Sequence, residues 1–148
     1  MIKNERQYRI TRAQAEKFAR ALAQMKERAG EDASVDPVLQ EAMTNALGSQ
    51  LADLRQQLED YEALRSGERK VFESASFGEL PRALIQSRIA LGLSQKELAK
   101  RLGLKEQQIQ RYEATRYAGV SLERVQAVAD ALGVQLHERV VLPTPNGR

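Results

Sequence analysis

The sequence predicts an all-α protein in which a long N-terminal helical hairpin precedes a cluster of short helices. Three observations carry that expectation. Apolar residues recur at intervals of three and four through most of the 148 residues, the period of an amphipathic helix. Capping residues or prolines stand before these runs, and glycines stand after them. Strand-like alternation is confined to residues 134–142 near the C-terminus.

The first helix is expected from about Arg12 to Ala29. Thr11 followed three residues later by Gln14 reads as a capping box, and Ala15, Phe18, Leu22, Met25 and Ala29 then line one face. The stretch from Gly30 to Val35 interrupts the pattern. Asp36 and Pro37 supply an N-cap and a first-turn proline for the second helix. Its apolar positions are Leu39, Met43, Leu47, Leu51, Leu54, Leu58, Tyr61 and Leu64, ending near Ser66 with Gly67 as the stop. A run of about 30 residues makes a rod of roughly 45 Å. Such a rod cannot cover its own stripe, so the stripe must meet the first helix, a second copy of the chain, or another protein.

From Gly67 to Ser76 the period is lost, and a module boundary is expected after residue 75. Beyond it a helix carries Pro81 in its first turn and runs to Leu91, closed by Gly92. Ser94 and Glu97 form a second capping box, opening a helix from Gln95 to Leu102. Ser121 caps a last helix with Leu122, Val125, Ala129 and Leu132 on one face, stopped by Gly133. In the tail, Val134, Leu136, Val140 and Leu142 alternate in a manner compatible with a short strand, which would need an equivalent strand from another subunit. The organisation read from the chain is thus a hairpin over 1–75, a helical domain over 76–135 and a tail over 136–148.

Composition narrows the function. The chain has no cysteine and one histidine, His137, which removes disulfides, thiolate nucleophiles, zinc clusters and histidine-based triads. His137 lies on the polar side of the tail pattern, and neither a metal nor a cofactor is expected. No enzyme mechanism has its nucleophile, base or metal set here. The first ten residues carry charge where a signal peptide needs an apolar stretch, so a cytoplasmic protein with no membrane association is expected. Net charge is +3, and it is unevenly spread: residues 1–75 hold 12 Lys/Arg against 13 Asp/Glu, residues 76–148 hold 11 against 7. The second half is the candidate to meet a polyanion.

Within that half, the stretch from Ser94 to Glu113 has the spacing of two helices crossed over a tight turn. Ala99 falls where the backbones must approach, and a larger side chain would part them. Gly103 ends the first helix most easily in a left-handed conformation. Leu98, Leu102, Ile109 and Tyr112 face inward, while Glu106, Gln107, Gln108, Gln110 and Arg111 are left outside. Gln and Arg are the side chains that pair bidentately with adenine and guanine edges.

The segment from Ala83 to Val134, and SQKELAKRLGLKEQQIQRYE above all, resembles the XRE family of helix-turn-helix DNA-binding domains, which includes lambdoid phage repressors, Cro proteins and many antitoxins. The resemblance implies a five-helix phage-repressor-like domain. It implies base contacts from Glu106, Gln107, Gln108, Gln110 and Arg111, and phosphate contacts from Gln95, Lys105, Arg116 and Tyr117. It also implies an ion pair between Arg88 and Glu113 bracing the domain. Two departures stand out: Lys105 replaces the usual Ser or Thr cap of the recognition helix, and the usual Asn-Gly after that helix is absent.

The expected function is a sequence-specific regulator of transcription that binds a palindromic double-stranded operator as a homodimer, paired through the hairpin or the tail strand. A helical segment ahead of such a domain is similar to HigA-type antitoxins, which implies a toxin protein as a further partner. The rival expectation is an adaptor that bridges proteins with weak or no DNA binding.

Overall fold

The computed structural model describes residues 1–31 and 34–145; Asp32, Ala33 and the last three residues of the tail lie outside the described set. Among the described residues there are six α-helices and one 3-10 turn, and no strand. They are α1 (Glu5–Glu27), α2 (Pro37–Arg65), the 3-10 turn Phe77–Glu79, α3 (Leu80–Ala90), α4 (Gln95–Leu102), α5 (Glu106–Ala114) and α6 (Leu122–Leu132). None of these helices is long and apolar enough to cross a membrane.

α1 begins seven residues before its expected start at Arg12. Asn4 is the N-cap: its side chain accepts from the Gln7 backbone N–H at 2.8 Å, and the Gln7 side chain accepts from the Lys3 N–H at 2.9 Å. Asn4 and Gln7 have the same spacing as Thr11 and Gln14, and the earlier pair wins because Tyr8 continues the apolar face of Ala15 backward by two turns. Both residues are buried. α2 follows its signals closely, with Asp36 accepting from the Val38 N–H at 2.9 Å and Pro37 in the first turn.

The two helices pack as an antiparallel hairpin. The Tyr8 and Tyr61 rings lie 5.3 Å apart, the Arg65 guanidinium sits 4.8 Å above Tyr8 and meets Glu5 at 3.1 Å, and Tyr8 donates to Glu62. That hydrogen bond to the Glu62 carboxylate raises the pKa of the Tyr8 phenol. Of the three partners open to the α2 stripe, the first helix covers part of it. Leu51, Tyr61 and Leu64 are buried within the chain and Leu47, Leu54 and Leu58 are half-buried, whereas Leu39 and Met43 stay more than half exposed. One end of the hairpin is built into the protein and the other is free.

The built-in end shares its core with the short helices. Ile2, Tyr8, Tyr61 and Leu64 join one buried cluster with Leu84, Ile85 and Ile89 of α3, Leu98 and Ala99 of α4, Ile109 of α5 and Val128 and Leu132 of α6. Leu98, Ile109 and Val128 are fully buried. α4 is also tied to α6 by the Arg101 guanidinium, which donates to the Ala131 carbonyl at 3.0 Å.

The C-terminal half therefore has four α-helices and a 3-10 turn in place of five helices. After Gly133, which adopts a left-handed conformation, residues 134–144 form neither helix nor strand. The alternation there is not realised, and among the described residues there is no neighbouring strand to share a ladder. Only Val134 packs against the core, and Val140, Val141 and Leu142 are exposed.

Two glycines provide a test of opposite sign. Gly103 closes α4 at φ +67° with nothing near its missing Cβ, so Gly103→Ala should cost the left-handed backbone penalty alone, about 1–2 kcal/mol. Gly48 lies inside α2, where an added Cβ would stand 4.0 Å from Leu22, an ordinary contact. Gly48→Ala should stabilise by about 0.5–1 kcal/mol. Urea unfolding midpoints should move in opposite directions; movement in the same direction would contradict these assignments.

Candidate nucleic-acid interface

The interface is built on the α4–α5 pair. Ser94 accepts from the Glu97 N–H at 3.1 Å, and the Glu97 carboxylate accepts from the Ser94 N–H at 2.7 Å. That second bond, to the backbone of Ser94, holds the Glu97 carboxyl below its ordinary value. Ala99 is 1% exposed, which leaves room for little more than its methyl group where the helices approach. Leu104 then bonds back to the Ala99 carbonyl at 2.9 Å, closing the turn after Gly103.

α5 starts at Glu106 despite the missing Ser or Thr. Its entry is held from inside the helix, by the Gln108 side chain accepting from the Lys105 N–H at 2.9 Å. Gln108 is half-buried by that task, which distinguishes it from the outward residues around it. Ile109 and Glu113 point inward and are fully buried. Leu102 and Tyr112 complete the packing as half-buried residues against the same cluster.

The opposite face of α5 is open. Glu106, Gln107, Gln110 and Arg111 are exposed. Gln110 makes a long 3.4 Å bond to Glu106, while Gln107 and Arg111, one turn apart on the same face, have no side-chain partner among the described residues. Lys105 and Arg116 flank this face and are exposed.

Two expected phosphate ligands are placed elsewhere. Tyr117 is 5% exposed, with its ring 5.7 Å from Tyr112 and its phenol pKa raised by burial. It turns inward because Arg116 and Tyr117 both adopt positive φ, 52° and 58°, where the usual Asn-Gly is absent. The burial of the Tyr117 ring and its N–H bond to the Tyr112 carbonyl at 2.7 Å hold that costly backbone in place. Gln95 is 4% exposed: its amide donates to Glu113 at 2.9 Å and its carbonyl accepts from Asn4 at 3.0 Å. Its side chain is committed to the protein interior.

Beneath the open face lies the buried ion pair. Arg88 donates to both oxygens of Glu113 at 2.7 Å, side by side, joining α3 to α5. The same guanidinium donates to the Leu93 carbonyl at 2.7 Å and to the Lys3 carbonyl at 2.6 Å. The N-terminal residues are thus bonded to the pair, through Lys3 directly and through Asn4 and Gln95. Lys3 and Asn4 are not legible as site residues in the sequence, because the contacts join residues more than 80 positions apart; the one local signal is the Asn4–Gln7 cap spacing.

His137 is exposed on the tail. No group of three or more His, Cys, Asp or Glu residues suited to a metal occurs among the described residues.

Residues 84–139 match the helix-turn-helix family model. No curated protein and no solved structure matches the chain.

The ion pair predicts a non-additive response. Arg88→Met alone, leaving a carboxylate buried, should cost about 3–5 kcal/mol, and the double variant with Glu113→Leu should cost less than either single change. Chemical unfolding of the three variants would show this. Strictly additive losses would contradict the coupling.

Proposed function

Because residues 84–139 match a helix-turn-helix family model, we propose that this protein is a sequence-specific, cytoplasmic repressor of transcription that grips a palindromic double-stranded operator as a homodimer through an XRE-type DNA-binding domain. The observation that carries the reading is the pairing of Gln107 and Arg111 on an open face of α5 whose opposite face is locked by Ile109 and Glu113. Side chains presented from a rigid helix can meet base edges in the major groove with little loss of order on binding. Arg111 would take a guanine and Gln107 an adenine, with Glu106 and Gln110 beside them. Lys105 and Arg116 would hold phosphates on either side.

A domain of this size makes few contacts on its own, and two copies on half-sites about 34 Å apart would use both at once. The hairpin supports self-pairing. α1 carries six basic and three acidic residues, whereas α2 carries two basic and five acidic. Packing α1 of one copy against α2 of the next would set opposite charges together along the hairpin, with Glu41 the acidic residue of α2 nearest Leu39 and Met43. A second reading rests on the same exposed end: as an autoregulating antitoxin, the chain would offer Val38, Leu39 and Met43 to the toxin of a toxin–antitoxin pair.

An electrophoretic shift assay at two salt concentrations tests the central reading. Wild-type protein should lose affinity for its preferred duplex steeply as salt rises. Arg111→Ala should bind about 5- to 150-fold more weakly, the loss of one bidentate base contact worth about 1–3 kcal/mol, and should lose preference at one base pair. Binding that is insensitive to salt and to Arg111 would favour a protein-bridging adaptor instead.

A further inference from the structure

The N-terminal end of α1 stands beside the recognition helix. Asn4, the cap of α1, donates to Gln95 at the start of α4 at 3.0 Å. Arg6 lines the same crevice, of about 590 Å³, as Ser94, Gln95, Glu106 and Gln110. The nearest acidic residue in sequence, Glu5, is neutralised by Arg65 at 3.1 Å. Arg6 itself is exposed and has no ion pair among the described residues, and the same holds for Arg9, one turn further on.

Arg6, Arg9, Lys17 and Arg20 all fall within about 80° of the α1 circumference at 3.6 residues per turn. That sector lies opposite the buried residues Tyr8 and Ala15, so it faces away from α2. Among the described residues none of these four makes an ion pair, and Glu27, in the same sector, lies seven residues beyond Arg20. The first of the four, Arg6, lines the crevice beside Glu106 and Gln110 of α5, and Arg9 follows one turn further along α1. Lys17 and Arg20 lie roughly 12–21 Å further along the helix axis.

We infer that Arg6 and Arg9 form a second phosphate-binding element, which grips the duplex backbone flanking the bases read by α5. The inference rests on the DNA-binding reading above and deepens it. The hairpin then serves DNA affinity as well as pairing, and its placement beside α4 through Asn4 sets where along the backbone the two arginines land. These contacts carry no sequence information, so they add affinity equally to every site.

The test is the salt dependence of binding to a labelled 40-base-pair duplex pool of random sequence, for full-length wild type, Arg6→Ala/Arg9→Ala and Lys17→Ala/Arg20→Ala. Circular dichroism checks that the exposed substitutions leave the fold intact. Losing two phosphate contacts should flatten the slope of log K against log salt by about 1.8 and weaken binding about tenfold or more near 100 mM salt. The Lys17/Arg20 variant, which removes the same charge further from α5, should keep the wild-type slope. An unchanged slope for the Arg6/Arg9 variant, or an equal flattening by the two variants, would overturn the inference while leaving the DNA-binding reading standing. Wild-type protein with no salt-dependent duplex binding would overturn both.

Discussion

The arrangement depends on burying one guanidinium and one carboxylate together. Taking two charges out of water costs several kcal/mol per ion even after relaxation, and their attraction offsets this only when the geometry is good and the remaining donors and acceptors are used. Arg88 and Glu113 meet that condition. The pair is side-on, the Leu93 and Lys3 carbonyls take other guanidinium hydrogens, and Gln95 donates to the carboxylate. No buried side-chain polar atom among the described residues is left without a partner. A network of this kind is cooperative, and a partly satisfied version would be worse than an apolar core.

What the network joins gives it its functional meaning. Through Arg88 it holds α3, through Glu113 α5, through Gln95 α4, and through Lys3 and Asn4 the entry to α1. α5 is therefore oriented by the same bonds that dock the hairpin. The Lys3 and Asn4 bonds thus help to satisfy the groups around the buried charge pair. The free end of the hairpin, with Leu39 and Met43 exposed, lies at the opposite end of α2 from these bonds. It can pair without disturbing them.

Local signals made much of the fold legible. Asp36-Pro37, Ser94 with Glu97, and Ser121 fixed the starts of α2, α4 and α6, because each cap is a short-range bond between neighbours. Ala99, Gly103 and Ile109 were readable because steric demands at a tight helix crossing leave few choices. The start of α1 was misread because two spacings competed, and the burial of Tyr8 beside Tyr61, more than 50 residues away, decided between them. Gln95 and Tyr117 look like surface residues in sequence. They are buried by contacts with Asn4, Glu113 and Tyr112 that no local pattern encodes. The tail keeps a strand-like alternation with nothing to pair against, so its pattern alone could not fix its structure.

If the outer face of α5 reads base sequence in duplex DNA, in two copies at once, a palindrome must emerge from random DNA. Repeated selection of bound fragments from a random duplex pool tests it most directly. Two inverted half-sites whose centres lie about 10 base pairs apart, or a multiple of that spacing, should be enriched. A pool that remains random through successive rounds, although the protein is folded, would contradict it.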